Sequence, residues 1–147
     1  MDTCRVRFKK LNDGATVPSY GTEFAAGADL YALTEEKVEI LPGETKIIHT
    51  GVALEIPTGL VGLIYARSGL ATREGLAPAN KVGVIDSDYR GEIMVALYNQ
   101  SSEKRTVENK ERIAQIVIAP YIKAVFEECD DFSKTERGEG GFGSTGK

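Results

Sequence analysis

Short apolar runs rich in β-branched residues, broken by Gly, Pro, Asn or Asp about every ten residues, recur along almost the whole chain. No segment keeps a sustained amphipathic helical period, which argues against a doubly wound α/β fold. Val6 and Phe8 alternate with Arg5, Arg7 and Lys9, and Lys37–Ile40 is short and β-branched before the turn Leu41-Pro42-Gly43. Thr45–Ile56 runs to Pro57-Thr58-Gly59, Leu60–Tyr65 follows, and Arg112–Phe126 is a long apolar stretch interrupted by Pro120. The one helix candidate lies near Ser68–Glu74. These signals predict an all-β sandwich or barrel.

At 147 residues, 41% hydrophobic and 27% charged, the chain suits one globular domain with a real core. No apolar run is long enough for a membrane helix, and MDTCRVRFKK lacks a secretory pattern, so a cytoplasmic location is expected. Cys4 and Cys129 form no CxxC pair and read as ordinary thiols. His49 is the only histidine, which removes histidine metal cages and disfavours a Ser-His-Asp triad. A general base would then be a carboxylate. The net charge of −4 argues against a nucleic-acid binder but not against an anionic small molecule held by local arginines and backbone N–H groups.

Val82–Ile93, VGVIDSDYRGEI, sets Asp86 at the end of one apolar run and just before another. Asp and Gly around a tight reversal read as a β-hairpin, and an acid at its mouth would be held firmly enough for chemistry. The plain alternative is a turn Asp bonding its own backbone. AGADLYA (26–32) carries a lone Asp29 among small residues, YARSGLA (65–71) sets Arg67 and Ser68 at a turn, and ERIAQI (111–116) sets Gln115 in an apolar strand. Singly, these read better as a turn acid, a solvated arginine and an edge glutamine. Lys81, Arg73 and Arg90 read as solvated charges.

The tail RGEGGFGSTGK (137–147) holds five of the chain's 16 glycines and cannot build a core. Gly138, Gly140 and Gly143 match GxGxxG, and Gly141, Gly146 and Lys147 match part of a P-loop. Both motifs need a strand before and a helix after, and this segment offers neither. Its glycines still permit close wrapping, Arg137 adds a bidentate donor and Phe142 can stack on a base.

Taken in order, AGADLYA, YARSGLA, GVIDSDYRGEI, ERIAQI and RGEGGFGSTGK resemble the trimeric dUTPases from about Phe24 onward. Ala66 departs from the Pro that many relatives carry before Arg-Ser-Gly. The resemblance implies a distorted jelly roll with a flexible arm, so that residues 1–136 form one domain and 137–147 close an active site. It further implies a homotrimer whose sites take the Asp29, Arg67, Ser68 and Gln115 regions from one subunit, Asp86 from a second and the tail from a third.

The implied reaction is dUTP plus water giving dUMP and pyrophosphate, limiting uracil in DNA and supplying dUMP for thymidylate synthesis. Asp86 would be the general base toward the α-phosphorus. Mg2+ would be held mainly by the phosphates, with Asp29 reaching it through water. Arg67, Ser68, Gly69 and Gln115 would bind phosphate oxygens, and Arg137, Gly143, Ser144 and Thr145 would close over the rest. Uracil would lie along the Val84 backbone with Asn80 nearby, Tyr89 under the deoxyribose and Phe142 over the base. A dCTP deaminase, of related fold, fits the Asp86–Tyr89 segment and the Phe142 tail less well. A nucleotide-binding module without turnover is the alternative outside catalysis.

Overall fold

The computed structural model describes residues 3–141. The chain forms β1 (Arg7–Lys10), β2 (Ser19–Tyr20), β3 (Ala28–Tyr31), β4 (Val38–Ile40), β5 (Thr45–Glu55) and β6 (Leu60–Tyr65). A π-type helical turn, Leu70–Glu74, separates these from β7 (Leu76–Pro78), β8 (Gly83–Ile85), β9 (Glu92–Asn99), β10 (Arg105–Val107) and β11 (Arg112–Pro120). Among the described residues this one helical turn sits within Ser68–Glu74, where the sequence placed it.

One sheet has the order β1-β5-β9-β7, the other β2-β3-β11-β6-β8, and β10-β4 make a short ribbon. The sheets stack as a sandwich rather than a closed barrel. β9 shows why: its Ile93, Val95 and Leu97 point inward in strict alternation and are almost fully buried. They share one core with Ile48 and Val52 of β5, Leu30 of β3, Ile64 of β6 and Ile116 of β11. Asn99, fully buried, closes the series with its polar atoms satisfied. Its Nδ2 donates to the carbonyls of Ile40 (2.9 Å) and Glu103 (2.7 Å), and its Oδ1 accepts from Ser101 N–H (2.9 Å).

Two expectations need correction. β8 and β9 do not form a hairpin: β8 pairs with β6, whereas β9 lies between β5 and β7 in the other sheet. The Asp86–Gly91 segment is thus a crossover between layers, because the core-facing side chains of β9 need the β5 side of the sandwich. The apolar run after Pro120 does not continue as strand. Ile122, Val125 and Phe126 are 95%, 94% and 96% exposed, so their hydrophobicity is not used among the described residues.

Candidate active site

Asp29, on β3, is 9% exposed and rests between two guanidiniums. Arg67 Nε donates to Oδ1 at 2.8 Å, and Arg112 NH1 reaches Oδ2 at 3.4 Å. Sheet register explains how a strand residue and a loop residue converge on one acid. Gln115 lies opposite both Asp29 and Tyr65. Arg112 and Gln115, three apart on one strand, would ordinarily point to opposite faces. A β-bulge between Arg112 and Ala114 sets Arg112 opposite Tyr31 and returns it to the Asp29 face.

Gln115 Nε2 donates to the Ala66 carbonyl at 2.9 Å, tying β11 to the turn before Arg67. A Cβ at Gly27 would run into Gln115 Oε1 and come within 3.0 Å of Cδ, so AGADLYA needs its glycine for this side chain. Ser68 is exposed and Gly69 half-buried, and Ser68 offers its carbonyl to Thr72 Oγ1 at 2.7 Å. Arg67, Ser68, Gly69, Gln115 and Asp29 therefore form one cluster at the Tyr65 end of β6. Ala66 fills the position before Arg67, and its carbonyl is held by Gln115.

Asp86 lies elsewhere. Ile85 is opposite Gly62 and Gly83 is opposite Ile64, so the chain leaves β8 at the Leu60 end of β6. Arg67 follows the other end. At about 3.3 Å per residue the two are roughly 15–20 Å apart. The Asp86 carboxylate is exposed, while its backbone carbonyl accepts Tyr89 N–H at 3.1 Å and closes the turn. Arg90, read from sequence as a solvated charge, clamps this turn: its NH1 donates to the carbonyls of Ser87 (2.7 Å) and Tyr89 (3.0 Å). Val84 is exposed on edge strand β8. Asn80 is exposed just ahead of it, its amide 3.4 Å from where a Cβ on Gly83 would sit. Lys81, at φ 66°, hangs over the Tyr98 ring, 6.0 Å from its centroid.

Arg137 is exposed and turns on itself, its Nε donating to the Gly140 carbonyl at 2.8 Å. Phe142, Gly143, Ser144 and Thr145 lie outside the described residues. Sequence reasoning missed Arg112 and Arg90. A cation two positions before an apolar core residue gives no local sign of a bulge, and Arg90 acts on backbone carbonyls, which leave no trace in side-chain patterning.

A sequence model of the dUTPase family matches residues 13–146. The chain belongs to the dUTPase family. It is a hydrolase acting on dUTP to give dUMP. It is 52% identical over 143 residues to the deoxyuridine 5'-triphosphate nucleotidohydrolase of Nautilia profundicola, covering 97% of this chain and 99% of that protein. Against the Haemophilus influenzae enzyme of the same name it is 48% identical over 139 residues, covering 94% and 92%. The dUTPase of Staphylococcus bacteriophage 80alpha, solved with dUPNHPP, superposes with a TM-score of 0.86 at 31% identity, over 99% of this chain and 100% of that one. A point mutant of the dUTPase from an S. aureus phage, phi11, described with a structural Mg(II) ion, is 24% identical and shares the fold at a TM-score of 0.78, covering 88% and 99%. Among the described residues of this dUTPase no helix is long and apolar enough to cross a membrane.

Proposed function

We propose that this dUTPase hydrolyses dUTP to dUMP and pyrophosphate at sites assembled between the subunits of a homotrimer, with Asp86 as general base. The carrying observation is the separation within one chain. Asp86 and the cluster of Asp29, Arg67 and Gln115 lie at opposite ends of β6. A reacting phosphorus needs its base and its phosphate donors within hydrogen-bond reach of one substrate, so two chains must contribute. The exposed apolar side chains of Ile122, Val125 and Phe126 support association, because a monomer would leave them in water.

In this reading the exposed Asp86 carboxylate orients a water and takes its proton during in-line attack on the α-phosphorus, and pyrophosphate leaves. The Asp86 turn is held by Arg90 and by its own backbone bond, so the carboxylate is positioned and, among the described residues, takes no hydrogen-bond partner. Arg67 offers its guanidinium edge to phosphate oxygens while Asp29 fixes the Nε side. Gln115 fixes the approach of Ala66 and Arg67, and Ser68 and Gly69 add polar and backbone donors. Residues 137–147 form an arm in which Arg137, Gly143, Ser144 and Thr145 close over the β- and γ-phosphates and Phe142 covers the uracil. Along β8, the Val84 backbone and Asn80 meet the base, and Tyr89 lies against the deoxyribose. Cytosine reverses the donor and acceptor at position 4 and would leave buried groups unpaired.

Mg2+ fits this site as an ion carried by the triphosphate. Both oxygens of Asp29 face guanidiniums, and among the described residues no group of three or more His, Cys, Asp or Glu is arranged to hold a metal. When bound, Mg2+ neutralises phosphate charge and polarises the reacting phosphoryl group. Asp29 first positions Arg67 and Arg112, and it reaches the metal through water only with the lone pairs they leave.

Mixing subunits tests this reading. Asp86→Asn and Arg67→Ala trimers, each inactive in pyrophosphate release from dUTP, are unfolded and refolded together. A shared site regains activity at about a quarter of the positions, where intact Asp86 and intact Arg67 meet. No recovery in mixed trimers overturns the shared site. Full turnover by Asp86→Asn alone overturns the base.

A further inference from the structure

Tyr89 is half-exposed on a crossover loop, yet its ring is fixed from behind by groups that touch no proposed substrate atom. Its hydroxyl donates to the Glu92 carbonyl at 2.9 Å. The hydroxyl end of its ring lies close over Gly91: a Cβ there would collide with the hydroxyl and sit 2.5 Å from Cζ and 2.9 Å from Cε2. Residue 91 can therefore only be glycine while the ring keeps this place. Glu92 is anchored in turn. Its Oε1 accepts Gly51 N–H at 2.8 Å, and its Oε2 meets His49 Nδ1 at 2.9 Å. Both anchors lie where β5 bulges between His49 and Ala53, with Gly51 at φ 68° and Glu92 opposite Ala53. The chain's single histidine and this carboxylate thus lock the start of β9 to the β5 bulge, and the start of β9 locks the tyrosine.

We propose that Gly91, Glu92 and His49 are positioning residues for Tyr89, and that through it they set the discrimination between deoxyribo- and ribonucleotide. The inference rests on the reading that Tyr89 lies against the deoxyribose. Excluding a single hydroxyl by steric contact demands a wall held to within about 0.5 Å. A phenol ring on a loop has two free torsions and does not supply that by itself. Here the hydroxyl bond fixes its tip, the bare Gly91 backbone fixes its face, and the Glu92 carboxylate keeps both from moving with the loop. Releasing the hydroxyl bond or the Glu92 anchor lets the ring retreat and admits a 2′-hydroxyl, and a Cβ at residue 91 forces the ring out of this place.

The test is kcat/KM for dUTP and for UTP in Gly91→Ala, Glu92→Ala, Glu92→Gln, His49→Ala and Tyr89→Ala, with Tm measured alongside. Gly91→Ala and Glu92→Ala lower the dUTP:UTP ratio by about tenfold or more. Glu92→Gln restores most of it, since its amide oxygen still accepts Gly51 N–H. His49→Ala falls between, because Oε1 remains held. A ratio unchanged in both Gly91→Ala and Glu92→Ala, even with a lowered Tm, assigns these residues to stability alone and overturns the proposal. If Tyr89→Ala lowers the ratio and those two do not, the latch fails while the reading of Tyr89 stands. If Tyr89→Ala leaves the ratio unchanged, that reading fails and the latch falls with it.

Discussion

Asp29 shows how much one residue depends on its neighbours. A lone buried carboxylate is costly, and two guanidiniums make it tolerable. Its value here is orientation: it holds Arg67 by the Nε side of its guanidinium. Asp29→Asn leaves both arginines without a countercharge, so we expect stability to fall by about 1–3 kcal/mol, with dUTP kcat/KM reduced in the same protein. Chemical denaturation and steady-state kinetics check the two effects separately. Glu92 carries a pH signature. Burial disfavours its charged form most strongly, but hydrogen bonds from His49 and Gly51 N–H, with the charge of His49, outweigh this and hold its pKa below the ordinary carboxylate value. A depressed carboxylate pKa stabilises the fold above the unfolded value of about 4.3. That contribution is lost as pH falls through the lower folded value. Thermal melts from neutral pH down to acid should therefore show a steeper loss in wild type than in Glu92→Gln.

Among the elements, β11 and β9 decide the most. The bulge in β11 brings Arg112 and Gln115 to one face, and the space over Gly27 admits the Gln115 side chain. Gly27→Ala should displace Gln115, free the Ala66 carbonyl and reduce kcat/KM for dUTP by roughly tenfold or more, with the overall fold retained by circular dichroism. β9 ends in Asn99, which stitches β4 and the β9–β10 connection to the core. Asn99→Leu strands the carbonyls of Ile40 and Glu103 and should cost about 2–4 kcal/mol, read from urea unfolding, with little change in KM. The longer strands were legible in the sequence because their apolar runs are bounded by turn residues: Thr45–Ile56 and Leu60–Tyr65 appear almost residue for residue, whereas the short β2, β3, β7 and β10 were not read. Strand partners were not legible either. Adjacent runs with a tight turn between them favour a hairpin locally. Only the competition among sheets shows that β8 belongs to β6 and β9 to β5 and β7.

At the scale of the whole molecule, a single chain holds both halves of the proposed site and keeps them apart at opposite ends of β6. Ordering a glycine-rich arm of about ten residues costs on the order of 10 kcal/mol, which stacking and charge-assisted hydrogen bonds must offset. Residues 137–147 should therefore order only with nucleotide bound, and NMR relaxation with and without dUPNHPP measures this directly. Equal mobility in the two states would remove the arm from the site. The apolar stretch beyond Pro120 predicts a second outcome. Replacing Ile122, Val125 and Phe126 together by Ser should shift the proposed trimer toward smaller species in analytical ultracentrifugation.

The sequence by itself determined the fold class, the longer strands such as β5 and β6, and the helical turn. Those properties follow from local periodicity, turn chemistry and motif order, which are written along the chain. Tertiary structure alone decided that Arg112 joins Asp29, that Arg90 clamps the Asp86 turn, that Glu92 and His49 stand behind Tyr89, and that Asp86 and Arg67 lie apart. The reason is that strand register and bulges set which distant residues share a face. Those are fixed by the simultaneous packing of two sheets, and no stretch of sequence shorter than the whole fold contains that information.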